Sequence, residues 1–258
     1  MATASLHART PRHRWFRSLA ATVPAVVALA ASLGGCSSEP ALRTPNRHVA
    51  PYPAVIAVAP LANESGVTID PAMRAEVSDD IVAALNQVEG WAAVPLDRTL
   101  GAMAQLGLAE VRSEADARDL ISTIGVDAIV VGTITYWNPY DPPRFGANVL
   151  LIGDRDRLRS AMDPQALYGR TGDAEAEPAT TDAGVGTVSD LVVDLDSVNH
   201  GTRKSIREYA AARSDVTGGF DPPERYYLMV FHRYPQFCAD RIASGLVQRE
   251  AVRVQSGG

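Results

Sequence analysis

The residues of this chain that could do chemistry are few. Two cysteines, Cys36 and Cys238, could pair, ligate a metal or carry a covalent group, and each role demands different neighbours. Metal binding needs Cys or His at short repeated spacing, and the five histidines are scattered, two of them within the first 13 residues. Adjacent carboxylates stand at Asp79-Asp80 and at Asp154/Asp156, where a solvated helix face and an acidic stretch account for them better than acid–base catalysis. His232 stands alone among aromatics, and no G-x-S-x-G elbow occurs. A phosphate-binding turn needs glycines whose amides cradle the anion; the corresponding stretch, PLANESGVTIDP, has one glycine and two acids. No catalytic residue, metal or cofactor is expected, and the chain reads as a non-enzyme.

Cys36 is different because of what precedes it. Arg9, Arg12, Arg14 and Arg17 come first, then Ser18 to Ser38 without a charge, mostly Ala, Val and Leu. A basic start, an apolar stretch and small residues before a break form the layout of a secretory signal peptide. The stretch could also serve as a marginal transmembrane helix, but Pro24 interrupts it and no basic cluster follows. Leu33-Gly34-Gly35-Cys36 resembles the lipobox of bacterial lipoproteins. The resemblance implies cleavage before Cys36, a diacylglyceryl group on its sulfur and a fatty acyl chain such as palmitate on its amine. Each buried methylene contributes about 0.8 kcal/mol, and stable anchoring takes two or more chains. Ser37 after the cysteine resembles the pattern of lipoproteins sorted to the outer membrane, which implies the periplasmic face of that membrane.

Removing residues 1–35 takes away four of the 24 Lys+Arg and none of the 30 Asp+Glu, leaving a net charge of −10. Such a chain is a poor partner for nucleic acid and for anionic headgroups. With Cys36 lipidated, Cys238 has no partner within the chain and reads as a packed thiol.

Five regions follow from composition and periodicity. Residues 1–35 are the signal peptide. Residues 36–53 are the lipidated cysteine and a flexible tether, polar and with four prolines. Residues 54–153 carry the order β-α-β-α-α-β-β, an α/β domain with a mixed sheet of about four to five strands covered by helices. Within it, AVIAVA is a buried strand, Asp70-Pro71 opens a helix, Asp97 can cap a second, and Ser113 to Asp116 form a capping box. DAIVVGTITYW and FGANVLLI form a hairpin. Residues 154–197 hold ten acidic residues and one aromatic and are expected to be a disordered linker, with DLVVDLDS left open as a strand at the sheet edge. Residues 198–250 are helical, rich in aromatics and interrupted at Pro235.

Two loops stand out as contact sites. ANESG lies at the carboxyl end of the first strand, where α/β sheets place ligands, and makes Asn63 and Ser65 candidates for a ligand crevice. YWNPYDPPRFG is expected to present Trp137, Tyr140, Arg144 and Phe145 on a proline-stiffened turn, and rigid aromatics with arginine are favoured at protein contacts.

VIAVAPLANESG before a helix, and later IGVDAIVVGTIT, resemble the N-terminal domain of TolB and related envelope lipoproteins, CsgG and the LpoB-type activators among them. Pro60-Leu61-Ala62-Asn63 and Gly125-Val126-Asp127 through Gly132 hold the family's motif places, with Leu61 for Phe and Val126 for Ala. The resemblance covers about 100 residues. It implies a non-enzymatic domain that acts through contact with an unidentified envelope protein; a small-ligand or cell-wall glycan-binding lipoprotein is the alternative. Protein purified from its native membrane is expected to begin at Cys36 and to carry acyl mass there. Intact mass spectrometry checks this, and Cys36→Ser should leave the unprocessed precursor.

Overall fold

The computed structural model describes residues 48–159, 184–213 and 220–256. The expectations for Leu33, Gly34, Gly35 and Cys36, for the tether before residue 48 and for residues 160–183 lie outside the described residues. The element order is β1 Val49–Val58, β2 Ala62–Asn63, α1 Pro71–Leu85, β3 Glu89–Ala93, α2 Leu96–Leu106, α3 Glu114–Ile124, β4 Ala128–Asn138, β5 Arg144–Asp154, a 3-10 turn Arg157–Arg159, β6 Val185–Asp196, α4 His200–Ala211, α5 Glu224–Met229 and α6 Arg233–Gln255.

The helix ends follow the capping chemistry. Asp70 Oδ1 accepts from the amide of Ala72 at 2.7 Å, with Pro71 at the first helical position of α1. Ser113 and Asp116 close a reciprocal box at 3.1 and 3.0 Å at the start of α3. Asp97 is not the cap of α2: Pro95 holds that position and Asp97 sits in the first turn, where its charge complements the helix dipole.

The sheet runs β3-β1-β4-β5-β6, with β2 pairing the far end of β4. β1 is parallel to β3 and β4, whereas β4-β5 and β5-β6 are antiparallel, so the sheet is mixed. Side chains of β1 alternate between two cores. Ala54, Ile56 and Val58 face α1 and α6, while Ala57 and Ala59 face α2 and α3. A strand covered on both faces has no polar side, which is why AVIAVA is apolar without alternation.

Three boundaries differ from the sequence reading. β1 begins at Val49, so residues 49–53, expected to belong to a tether, are strand. Pro51 and Pro53 are tolerated because β1 pairs only with β3 until Ile56, where β4 joins. Residues 185–189, expected in an acidic linker, are strand, and 190–196, left open, join them. Residues 185–196 form β6, which pairs with β5 along its length. Its acids disguise a period of two: Leu191, Val193 and Leu195 pack on the core, while Asp190 and Val192 are exposed. The C-terminal helices break at Val230, before Pro235. Pro235 lies in the first turn of α6, where its missing N–H costs no helical bond, and α6 continues to Gln255.

The longest helix is tied to the sheet by one buried carboxylate. Glu250 of α6 is fully buried and accepts hydrogen bonds from Tyr52 of β1, Ser189 of β6 and Arg253. Arg253 also donates to the carbonyl of Leu158 at 2.8 Å. Burial and the bond to Glu250 push the Tyr52 phenol up, so it remains a donor. Glu250→Ala should cost about 3–5 kcal/mol by stranding Arg253, and Tyr52→Phe about 1–3 kcal/mol by removing one donor from the carboxylate. Urea unfolding of the two variants checks both.

Candidate functional site

The two loops singled out by composition lie at the same end of the sheet. Ala62 and Asn63 of β2 pair with Thr133 and Ile134, near the end of β4. Beyond that pairing lies an open groove of about 400 Å³. Val67 to Asp70 and Met73 form one wall, Trp137 to Tyr140 a second, and Phe231, from the turn between α5 and α6, closes it. Each wall has a local reason. The residues before α1 are held by its cap at Asp70. The hairpin tip is braced by Asn138, whose amide donates to the carbonyl of Pro142 at 3.1 Å and whose oxygen accepts from the amide of Tyr140 at 3.2 Å.

Of the four candidate contact residues, two line the groove. Trp137 is half-buried, and Tyr140 is 72% exposed, its ring 6.1 Å from that of Phe231. Phe145 does not belong to the contact surface. It is 1% exposed and meets Trp137 edge to face at 6.1 Å, because strand alternation turns it into the core. Arg144 is also diverted: it lies 4.4 Å over the ring of Tyr136 and pairs with Asp194 at 3.2 Å and Asp196 at 3.7 Å.

Asn63 and Ser65 do not line the groove either. Asn63 Oδ1 accepts from the amide and the hydroxyl of Ser65 at 3.1 and 2.7 Å, and its Nδ2 donates to the carbonyl of Val67 at 2.8 Å. Their polar atoms hold the turn that presents Val67 and Ile69. Phe231, Met73, Val67 and Ile69 are groove residues that motif reading missed. Phe231 belongs to the C-terminal aromatic run, but nothing in that run says that it meets a hairpin about 90 residues earlier.

No family model matches the chain, and no curated protein matches it. Among solved structures, the LpoB C-terminal domain from Salmonella enterica is similar with a TM-score of 0.35 and 11% identity, over 56% of this chain and 84% of that one. The hypothetical protein CT253 from Chlamydia trachomatis gives 0.34 and 12%, over 79% and 95%. Lipoprotein GNA1162 from Neisseria meningitidis gives 0.34 and 19%, over 63% and 99%.

The walls of the groove are mostly aromatic and apolar; Thr68, Asp70 and Asn138 are its polar lining residues, and Asp70 is the one carboxylate among them. Among the described residues, no group of His, Cys, Asp and Glu is arranged to hold a metal ion. Cys238 is fully buried, and burial pushes its thiol well up, so it is held protonated and unreactive.

Behind Phe231, α1 and α6 meet through ionisable groups. His232 Nδ1 lies 2.6 Å from Glu76 Oε1. Asp80 is pushed up to about 7, first by burial and then by the charges of Glu76 and Asp79, against the lowering effect of Gln236 and His232. A carboxyl raised in the folded state binds a proton that the unfolded chain has released, so stability falls as pH rises from about 4 to about 7. Asp80→Asn should therefore match the parent near pH 4 and exceed it by about 1–2 kcal/mol at pH 8, after discounting for solvent screening of its exposed part. Thermal melts at the two pH values check this.

Proposed function

We propose that the protein is a lipid-anchored envelope adaptor or regulator, non-enzymatic, that engages an envelope protein through the aromatic groove. One observation carries the reading: three segments distant in sequence, at residues 67–73, 137–140 and 231, converge on one groove. Rigid aromatics that expose area at low entropic cost are favoured anchors for protein partners. The groove also lies far from the start of β1. β1 starts at Val49, seven residues before Ile56 pairs with Ala128, and β4 runs ten residues further to Asn138. At about 3.3 Å per residue, the groove and the root of the tether are on the order of 50 Å apart along the sheet. Lipid on Cys36 would hold one end near the periplasmic face of the outer membrane and leave the aromatic end free for a partner. No helix among the described residues is long and apolar enough to cross a membrane, and the acyl chains would supply the attachment.

The second reading, a small-ligand or cell-wall glycan-binding lipoprotein, is favoured by the groove volume, which falls in the range of ligand pockets. A photo-crosslinker at Thr68, an exposed residue of the same groove, should capture one defined envelope protein in the native membrane. Tyr140→Ser and Phe231→Ser should each weaken that contact at least about tenfold, while Val192→Ser, at an exposed position on β6, should not. Unchanged capture by both groove variants, together with a thermal shift on adding muropeptides, would move the assignment to the glycan reading.

A further inference from the structure

A second groove, also of about 400 Å³, lies at the opposite end of β1. It is lined by His48, Val49, Arg241, Ser244, Val247 and Gln248. Its polar side chains are an imidazole, a guanidinium, a hydroxyl and an amide, and no carboxylate lines it. That is unusual in a chain with 30 acids against 24 Lys+Arg. Ser244 donates its hydroxyl to the carbonyl of Arg241 at 3.1 Å, which braces the helix wall. Arg241 is exposed, as is Arg249 one residue beyond Gln248, and among the described residues neither pairs with an acid. Two of the neighbouring acids are otherwise engaged: Asp240 pairs with Arg213 at 3.1 Å, and Glu250 is buried against Arg253. Glu89, exposed in register with Val49 and with its amide donating to the carbonyl of His48, does not line the groove.

We infer that this cationic groove docks on the phosphates of anionic lipid headgroups and seats the domain with its tether end down. The occupant follows from the chain itself. His48 lies twelve residues after Cys36, so the groove lies within about 40 Å of the anchor at full extension. Near an anionic surface each Lys or Arg contributes about a fivefold gain in association, too little to hold a free acidic protein. It is enough to orient one that lipid already confines to the surface, where the effective concentration is high. Against one exposed acid at this end, Glu89, three stand at the other pole: Asp70 lines the aromatic groove, and Glu64 and Asp141 are exposed in the loops that build it. An anionic membrane therefore attracts one end of the domain and repels the other.

The inference rests on the lipid-anchor reading of Cys36, and the test separates the two. The chain from Cys36 to Gly258 is coupled through the Cys36 thiol to a maleimide lipid; buried Cys238 is spared. Anchoring is then imposed, and natural lipidation is judged separately by intact mass. Neutron reflectometry on supported bilayers reads the distance of protein density from the headgroups. On phosphatidylcholine with about a third phosphatidylglycerol, the density should lie against the headgroups, and it should move outward at about 0.5 M salt, where screening shortens to a few Å. Arg241→Gln with Arg249→Gln should lower the ratio of docked to undocked protein about 25-fold, and the corresponding Lys pair should restore it. Docking that is equal on pure phosphatidylcholine, or unaltered in the Gln pair, would overturn the inference. So would saturable binding of inorganic phosphate to the groove together with bilayer contact that ignores lipid charge, which would make it a free-anion site.

Discussion

The buried carboxylate of Glu250 is the constraint on which the rest of the fold leans. It joins three elements that no short connection links: β1 through Tyr52, β6 through Ser189 and α6 through its own helix, with Arg253 extending the bond to the carbonyl of Leu158. A buried charge is costly unless its partners are all present. Apolar packing would tolerate a sliding helix, whereas a carboxylate with several fixed donors does not. The network therefore selects one seating of α6 on the sheet. That seating matters at both ends of the helix: its start carries Phe231 to the aromatic groove, and Arg241 and Gln248 wall the cationic one.

The same demand for coverage explains why β6 is ordered. α6 presents Gly245 to Leu191, and a Cβ there would meet the end of the leucine side chain at 2.7 Å, so any larger residue would force Leu191 to shift. Tyr234 donates to the carbonyl of Leu195 at 2.6 Å, and Glu114 of α3 accepts from the amide and hydroxyl of Thr187. Side chains from two helices thus satisfy backbone groups along β6, a usual way to manage an edge strand. β6 in turn supplies Asp194 and Asp196, which take Arg144 out of the set of free contact residues.

Function, on the reading proposed above, is a matter of poles. The chain enters at His48, the aromatic groove forms where β2 and β4 end, and the parallel β1–β4 pairing keeps the two apart. Net charge alone describes such a molecule poorly. The value of −10 expected after removal of residues 1–35 implies repulsion from anionic surfaces, but the side chains of α6 that line the tether-end groove carry no acid. Distribution, more than the total, governs orientation at a surface.

Much of this was legible in the chain, because it depends on neighbours in sequence. The Asp70 cap, the Ser113–Asp116 box, the apolar β1 and the β4–β5 hairpin are set by residues a few positions apart, and each appears where local chemistry places it. The mixed α/β class followed from their order. The sequence does not say which strand residues face the core: composition exposes Phe145, which is buried, and assigns residues 185–189 to a linker while leaving 190–197 open as a strand. A shift of one residue reverses the face of a strand, and the mean acidity of a stretch hides its alternation. The grooves were beyond it altogether. Phe231 meets Tyr140, and Arg241 and His48 line one groove, only because helices fold back over a sheet, and such placements are fixed by packing and by the partners of Glu250, not by any spacing along the chain.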